Sequence, residues 1–499
     1  MTTSPTDPVW DVAVIGAGPA GLAASAAAAE AGRSVVLIDA GAAPGGQYWR
    51  NATAAGRRLL HHGLDDFDGL RARLQNAGVT LLAQHHVRTL HQADGVWQLS
   101  CLLGAEPRES EKASTVRARR LVLATGAYDR QLPFPGWDLP GVLTGGGVQA
   151  MLKQHGVAAG RRAVVAGTGP FLLAVADGLV RSGSTVAAVV DANSAIGFVR
   201  HPAALVAARG KLAEGAGFLA RLNRHRPGVV RHGHVVVRAL GADRLEAVEI
   251  ARLRRDGTAD RSRRVACDVL AVGWGFTAQL ELHRQAGCEL ALGDDGGLAV
   301  VVDGDQQTTK STVWAAGEST GVGGAELAVV EGEIAGRSAA GVPPLRAHRS
   351  RRARLTTFAR AMHAVYPLPV AWLSRAADDV VICRCEEVAV GAVRDAVRTW
   401  GATDARTVKL LARPGMGWCQ GRTCGLATAL LTASACGREV AAADLAAFAE
   451  RPFSLPSSLR SLLADGPSER VTTDPIGAMP ARAASYDARP DDMPVAPHD

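Results

Sequence analysis

No stretch of about twenty consecutive apolar residues occurs in this chain, so nothing in it reads as a membrane-spanning helix. The N-terminus lacks a basic segment followed by an apolar run, which removes the pattern of a secretory signal and leaves a cytoplasmic protein as the expectation. No Cys-x-x-Cys lies beside a glycine-rich motif, which argues against a dithiol active site. A disulfide framework is missing too. Of the eight cysteines, Cys101, Cys267, Cys288 and Cys436 stand singly, as buried free thiols in a reducing compartment do. The histidines, including the pairs His61-His62 and His85-His86, have no ligand spacing with other candidates. Charge of one sign does not gather either. The net charge of +7 comes from arginines interleaved with acids, and the runs at Arg261–Arg264 and Arg346–Arg354 are short, so nucleic acid is not an expected partner.

What is present is enough chain for two or three domains, with the ordinary hydrophobic content of a globular protein, 47%. Val9–Ile15 reads as a strand ending in Gly16-Ala17-Gly18-Pro19-Ala20-Gly21. Leu22–Ala31 follows as helix, and Ser34–Ile38 as a second strand ending at Asp39. Strand, glycines, helix, strand and acid in this order form a dinucleotide site. Gly16 permits the tight turn, Gly18 lets backbone approach a pyrophosphate, Gly21 lets helix and sheet pack, and Asp39 can bind ribose hydroxyls.

The pattern repeats. Arg161–Val165 reads as strand, Gly167-Thr168-Gly169 as turn, then a helix to Arg181 and a strand Thr185–Val190 ending at Asp191. Leu172 stands where the third glycine would be. Asp191 favours NAD over NADP, and NAD, ATP or an empty fold all stay open here. Val79–Leu103 and Val229–Leu253 alternate as antiparallel excursions do. Helices are predicted over Gly324–Ala340 and, as a basic linker, over Arg346–His363; from about Gly466 the chain reads as a disordered tail.

Cys383-Arg384-Cys385 and Cys419-Gln420-Gly421-Arg422-Thr423-Cys424 bracket thirty-three residues. Four thiolates in two tight pairs suit a [2Fe-2S] or [4Fe-4S] cluster, and also a tetrahedral zinc. Gly415, Gly417 and Gly421 let a loop bend around sulfur, and Arg384, Arg413 and Arg422 would offset negative charge. Short helices are predicted over Val388–Trp400, Asp404–Ala412, Leu426–Cys436 and Ala441–Arg451, with Thr403 near an N-cap and Pro414 as a stop.

Three resemblances extend this reading. Pro44-Gly45-Gly46-Gln47, Ala124-Thr125-Gly126-Ala127 and Val313-Trp314-Ala315-Ala316-Gly317-Glu318 resemble the glutathione-reductase-like two-dinucleotide-binding flavoproteins over roughly residues 8–342. The resemblance implies FAD held by Gly16, Gly18, Gly21, Asp39, Gly46, Gln47, Thr125, Gly126, Gly317 and Glu318. Gly167, Gly169 and Asp191 remain for a second nucleotide. In that family the last segment usually reads Gly-Asp, the Asp binding the ribityl chain; Glu318 carries the carboxylate one methylene further. The helix from Gly324 would point its N-terminus at the flavin. Cys-Arg-Cys-Glu-Glu with Arg413-Pro-Gly-Met-Gly-Trp-Cys-Gln-Gly-Arg-Thr-Cys resembles the bacterioferritin-associated-ferredoxin-like [2Fe-2S] domain, which implies Cys383, Cys385, Cys419 and Cys424 as cluster ligands. The whole chain to about residue 455, with its Phe134-Pro135-Gly136-Trp137-Asp138-Leu139-Pro140-Gly141-Val142 loop, is similar to the A subunits of opine oxidases, the B subunit of hydrogen cyanide synthase and the large subunits of D-hydroxyproline dehydrogenases.

The expected fold is thus α/β: a two-dinucleotide-binding-domain flavoprotein with a small C-terminal all-helical [2Fe-2S] domain. Its divisions are 8–160 with 265–342 for FAD, 161–264 for the second unit, 343–378 as linker, 379–455 for the cluster and 466–499 as tail. The resemblance implies an FAD-dependent oxidoreductase. It would be the electron-carrying subunit of a heteromeric amine or amino-acid dehydrogenase, joined by a small ferredoxin-like subunit and by an amino-acid-oxidase-like flavoprotein subunit. A stand-alone NADH-dependent reductase using Gly167, Gly169 and Asp191, and a non-enzymatic redox or iron sensor, are the other two readings.

Overall fold

A computed structural model describes residues 8–50, 60–104, 112–207, 209–457 and 474–475. Val9–Ile15 lies between Val35–Ile38 and Lys112–Leu123, parallel to both, and its last four residues are fully covered. The helix Pro19–Glu30 starts with proline at its first turn, where the fixed φ suits a helix and no amide is lost. Its alanine-rich body is buried on every side, because the helix Ala325–Ala339 packs across it. Small residues make this contact: a Cβ on Gly332 would stand 2.1 Å from the Ala20 carbonyl oxygen, and one on Gly336 2.2 Å from that of Ala24.

Lys112–Leu123 joins two kinds of sheet. Its C-terminal half pairs in parallel with Val9–Ile15 and Val313–Ala315, and its N-terminal half runs antiparallel to Val96–Leu103. Val96–Leu103 continues into His85–Ala93. A second, five-stranded sheet runs in the order Val230–His232, Thr185–Asp191, Arg162–Gly167, Val269–Gly273, Val142–Thr144, all parallel. Both expected excursions are antiparallel only in part. Thr80–Leu82 joins the first sheet parallel to Val35–Ile38, and Val230–His232 joins the second in the matching place. Alternation alone does not separate a short edge strand of a parallel sheet from a hairpin arm. Two strands also fall across the expected division: Val142–Thr144 and Val269–Gly273, assigned by sequence to the first unit, pair in the second sheet.

The linker is the helix Arg346–Val365 followed by a short helix Val370–Leu373. The C-terminal unit contains Val390–Arg398, Ala405–Ala412, Gly425–Ala435 and Ala442–Ala449. Beside these helices it carries a two-stranded hairpin, Val381–Cys383 against Val388–Ala389, that the sequence does not suggest. Asp404, with Thr403 beside it, caps its helix by accepting the Thr407 amide, and Arg413 ends that helix in a left-handed conformation just before Pro414. Of the expected tail only Asp474–Pro475 is described, as a two-residue strand beside Thr80–Leu82; the rest of that expectation lies outside the described residues. No helix among the described residues is long and apolar enough to cross a membrane.

Candidate functional site

The first glycine turn is built for close backbone contact and left open. Gly16 has φ +103°, and a Cβ there would sit 2.3 Å from the Ala124 carbonyl oxygen. A Cβ on Gly21 would sit 1.7 Å from the Gly16 carbonyl oxygen. The second motif crosses over the first: a Cβ on Gly46 would lie 2.7 Å from the Gly18 Cα, and Gly45 donates its amide to the Ala17 carbonyl at 2.8 Å. Gly18 is the N-cap of Pro19–Glu30 and offers no side chain to the first-turn amides, which leaves them for an anion. Asp39 stands at the end of its strand as expected. Its two oxygens accept the Ala17 amide at 2.5 Å and the Gly41 amide at 2.6 Å, and burial holds its carboxyl above the usual range. Gln47 is exposed beside this crossing.

Thr125 donates its hydroxyl to the Gln279 carbonyl at 2.7 Å, and nothing lies within 4 Å of a Cβ built on Gly126 or Gly324. These two glycines therefore face open space, as a cradle for a ligand would. Gly317, at φ +81°, donates its amide to Glu331 at 3.0 Å. Glu318 turns back to accept the Gly323 and Gly324 amides at 3.1 and 2.9 Å, and its desolvated position pushes its carboxyl up to about 7. The extra methylene gives the side chain the reach to cap this turn. Between about pH 4.5 and 7 the folded chain holds a proton at Glu318 that the unfolded chain has released, so this group lowers stability as pH rises through that window. Glu318→Gln is therefore expected to raise the Tm of FAD-depleted protein at pH 8, with the gain shrinking toward pH 5. A gain independent of pH would contradict this origin.

The second turn has the same backbone and a different fate. Gly167 has φ +143°, and a Cβ there would meet the Gly273 carbonyl oxygen at 1.8 Å. Yet Gly169 is buried where Gly18 is only half-buried. The linker stands beside this turn: the Cγ of Tyr366, at the end of the linker helix, is 4.0 Å from a Cβ built on Gly169, an ordinary van der Waals contact. Asn193 donates to the Thr168 hydroxyl at 2.7 Å and to the Pro367 carbonyl at 2.9 Å, tying the linker to the turn. Asp191 accepts the Asn193 amide at 2.9 Å, along with the Gly169 amide and the Thr168 hydroxyl, and burial pushes it up to about 6. Upstream, Phe358 stacks on Phe198 at 5.8 Å and Val365 packs against Gly197, so the linker also covers the segment that follows Asp191.

The four motif cysteines line one cavity of about 300 Å³. Cys383 and Cys424 are buried, Cys419 is half-buried and Cys385 exposed. The thiols are paired across the motif, Cys383 with Cys424 and Cys385 with Cys419. The contact with Cys424 holds the Cys383 thiol down at about 5, with help from the Gly415 amide, which donates to its sulfur at 3.5 Å. Among the described residues no three such side chains converge on a single-ion position. Two pairs of thiols suit a two-iron cluster. Glu387, Arg413 and Gln420 all have positive φ beside these cysteines, strain that packing must hold in place.

The same cavity is walled by Asp129, Gln131, Trp137 and Thr144 of the dinucleotide-binding units. A buried clasp closes the junction. Glu281 receives Arg422 at 2.9 Å and Arg451 at 2.5 Å, and Arg422 also donates to the Tyr128 hydroxyl at 2.9 Å. Trp137 donates its indole N–H to the Val381 carbonyl at 2.6 Å and carries Arg384 on its face. Arg413 pairs with Glu386 at 3.3 Å. The three arginines expected near the sulfurs thus have fixed partners, and Arg422 serves chiefly as a tie between units.

Sequence reasoning missed Glu281, Arg451, Tyr366 and Asp129, and none carries a local motif. It also missed Arg50 and Lys153. Arg50 donates to Gln154 at 2.6 Å, and Lys153, on a π-helical turn, donates to the Tyr48 carbonyl at 3.2 Å; burial lowers Lys153 to about 8.

The family described as pyridine nucleotide-disulphide oxidoreductase matches residues 10–335. The chain belongs to that family. A BFD-like [2Fe-2S] binding domain matches residues 381–431 of this pyridine nucleotide-disulphide oxidoreductase. The opine oxidase A subunit of Rhizobium meliloti (strain 1021) is 33% identical to it over 469 residues, 90% of this chain and 98% of that protein. Hydrogen cyanide synthase subunit HcnB of Pseudomonas protegens is 32% identical over 431 residues, 82% of this chain and 89% of that one. Among solved structures, L-proline dehydrogenase from P. horikoshii has the same fold, with a TM-score of 0.66 at 21% identity over 91% of this chain and 80% of that chain. The chain is accordingly an oxidoreductase, its family implies FAD, and its C-terminal domain implies a [2Fe-2S] cluster. The open first turn and the paired thiols fit both groups.

Proposed function

We propose that this chain is the electron-transfer subunit of a heteromeric amine or amino-acid dehydrogenase or oxidase. In this reading an opine, D-hydroxyproline or glycine-like substrate is oxidised on an amino-acid-oxidase-like flavoprotein subunit, and a small ferredoxin-like subunit completes the complex. FAD is assigned to the first turn: the first-turn amides after Gly18 take the pyrophosphate, Asp39 and the Gly46-Gln47 crossing flank the ribose, Thr125 and Gly126 border the rest, and Gly317 and Glu318 shape the turn beside it. Cys383, Cys385, Cys419 and Cys424 are assigned to the cluster. FAD supplies exchange of electrons in pairs or singly, and the cluster supplies single-electron steps. The residues of the chain position both: the Glu281 clasp and the Trp137 bond hold the cysteine loops against Ala127–Asp129, so that one cavity wall is shared.

The observation that carries the choice of electron source is the burial of Gly169 beside the linker, where Gly18 is half-open. A dinucleotide needs that backbone for its pyrophosphate, and here Gly169 is buried with the chain's own linker beside it, bonded through Pro367 to Asn193. This supports entry of electrons from a partner subunit over entry from NADH. The reductase reading keeps one feature in its favour, the acid Asp191 at the end of its strand, and the two are separable. Mixed anaerobically with NADH, the purified chain is expected to keep its flavin absorbance for minutes, and Tyr366→Gly to bind NADH at least tenfold more tightly than wild type. Rapid bleaching of the wild-type flavin by NADH alone would overturn the relay reading in favour of a reductase.

A further inference from the structure

The cluster loop has an inner and an outer side. Inward, the cysteine cavity is walled by Asp129, Gln131, Trp137 and Thr144. Outward, Cys385 is exposed. Gly417 lies flat on it: a Cβ at Gly417 would fall 2.2 Å from the Cys385 Cβ. Gly417 thus packs on Cys385, and its sequence neighbours Met416 and Trp418 stand 38% and 72% exposed. Leu410 and Leu411, at the end of Ala405–Ala412, are 63% and 49% exposed. Exposed apolar side chains scattered singly need no explanation. Here four of the twelve large exposed hydrophobics of the described chain fall within Leu410–Trp418, beside the one exposed cysteine of the set.

Three arginines against two glutamates give this patch a small basic excess. Arg384, Arg406 and Arg413 are exposed, and Arg406 shares a helix face with Leu410, four residues on. Against them stand exposed Glu387 and half-buried Glu386, the latter neutralised by Arg413 at 3.3 Å. An apolar centre with a basic rim complements an apolar centre with an acidic rim.

We propose that Cys385, Leu410, Leu411, Met416 and Trp418 form the docking surface for an acidic one-electron redox protein, which exchanges electrons with the cluster through its exposed edge. The inference rests on the relay reading and deepens it by naming the face and the kind of partner. One electron passes per encounter: the reduced partner is oxidised by one electron, the cluster is reduced by one, and no bond is made or broken. The reverse transfer uses the same contact.

The test uses the full-length protein with its cofactors and follows cluster reduction by stopped flow. Two donors are compared, a reduced plant-type [2Fe-2S] ferredoxin, which is acidic, and the small molecule reduced methyl viologen. For wild type, reduction by ferredoxin is expected to slow as salt screens the rim. Trp418→Ser, and separately Leu411→Ser, are expected to slow reduction by ferredoxin at least tenfold while leaving reduction by methyl viologen within twofold. Equal ferredoxin rates in variants and wild type would overturn the proposal, and so would a parallel loss with both donors. A dimer that dissociates in Trp418→Ser with the ferredoxin rate unchanged would assign the face to a second copy of the chain and also overturn it. A protein without cluster absorbance would sink the relay reading itself, whereas a cluster reduced by methyl viologen but indifferent to Trp418 sinks only the docking face.

Discussion

Glu281→Ala is expected to lower stability by about 3–5 kcal/mol and to slow electron exchange between flavin and cluster by more than tenfold. The side chain of Glu281 is 5% exposed, and those of its partners Arg422 and Arg451 are 12% and 10% exposed. Removing the carboxylate leaves two guanidinium groups in a place that water barely reaches, and the cost is that of unpaired buried charge more than of lost attraction. Arg422 keeps the Tyr128 hydroxyl and the Cys419 carbonyl, and Arg451 keeps the Gln420 carbonyl. The cluster loop should therefore stay folded, held at Tyr128, while its seat on Glu281 loosens. Chemical denaturation followed at the cluster bands checks the first effect, and flash reduction of the flavin followed at the cluster checks the second. A variant with unchanged stability and transfer rate would remove the clasp from this account.

Cys424→Ala is expected to abolish the iron-sulfur absorbance and to cut bound iron at least tenfold, with FAD retained at close to one per chain. Cys424 is 2% exposed, is paired with Cys383, and begins the helix Gly425–Ala435. Losing its sulfur leaves one pair of the set incomplete. The control is Cys436→Ala. Cys436 lies at the far end of the same helix, with its thiol toward the Ala402 carbonyl at 3.6 Å, and the change there should leave iron and spectrum as in wild type. Zinc in place of iron in protein purified without oxygen, or iron loss in both variants, would contradict the assignment.

The parts of the site that were legible in the sequence are those whose chemistry is local. A glycine whose Cβ would strike a carbonyl 1.7 Å away, as at Gly21, has no substitute, so the turn announces itself within six residues. The cysteine pairs are legible for the same reason, since sulfur spacing and loop glycines sit together. Glu281 and its arginines were not legible, because they meet across 141 and 170 residues and an acid next to Leu280 and Leu282 looks like any helix surface position. Tyr366 reads in the sequence only as part of a linker. Its role depends on where the helix Arg346–Val365 lands, which is decided by the packing of Val365 on Gly197 and Phe358 on Phe198 rather than by any motif. The second glycine turn shows the limit most clearly. Its first two glycines and its acid are in place, and the side chain beside its second glycine, Tyr366, lies about 200 positions away.

The central claim is that flavin and cluster form one path fed by a partner rather than by NADH. Freeze-quenched electron paramagnetic resonance tests it most directly. The chain, mixed anaerobically with NADH alone, is predicted to give no reduced-cluster signal. The same chain, supplied with an opine or hydroxyproline substrate and reconstituted with an amino-acid-oxidase-like flavoprotein subunit, is predicted to give that signal within one turnover. A reduced-cluster signal with NADH and no partner would contradict the account.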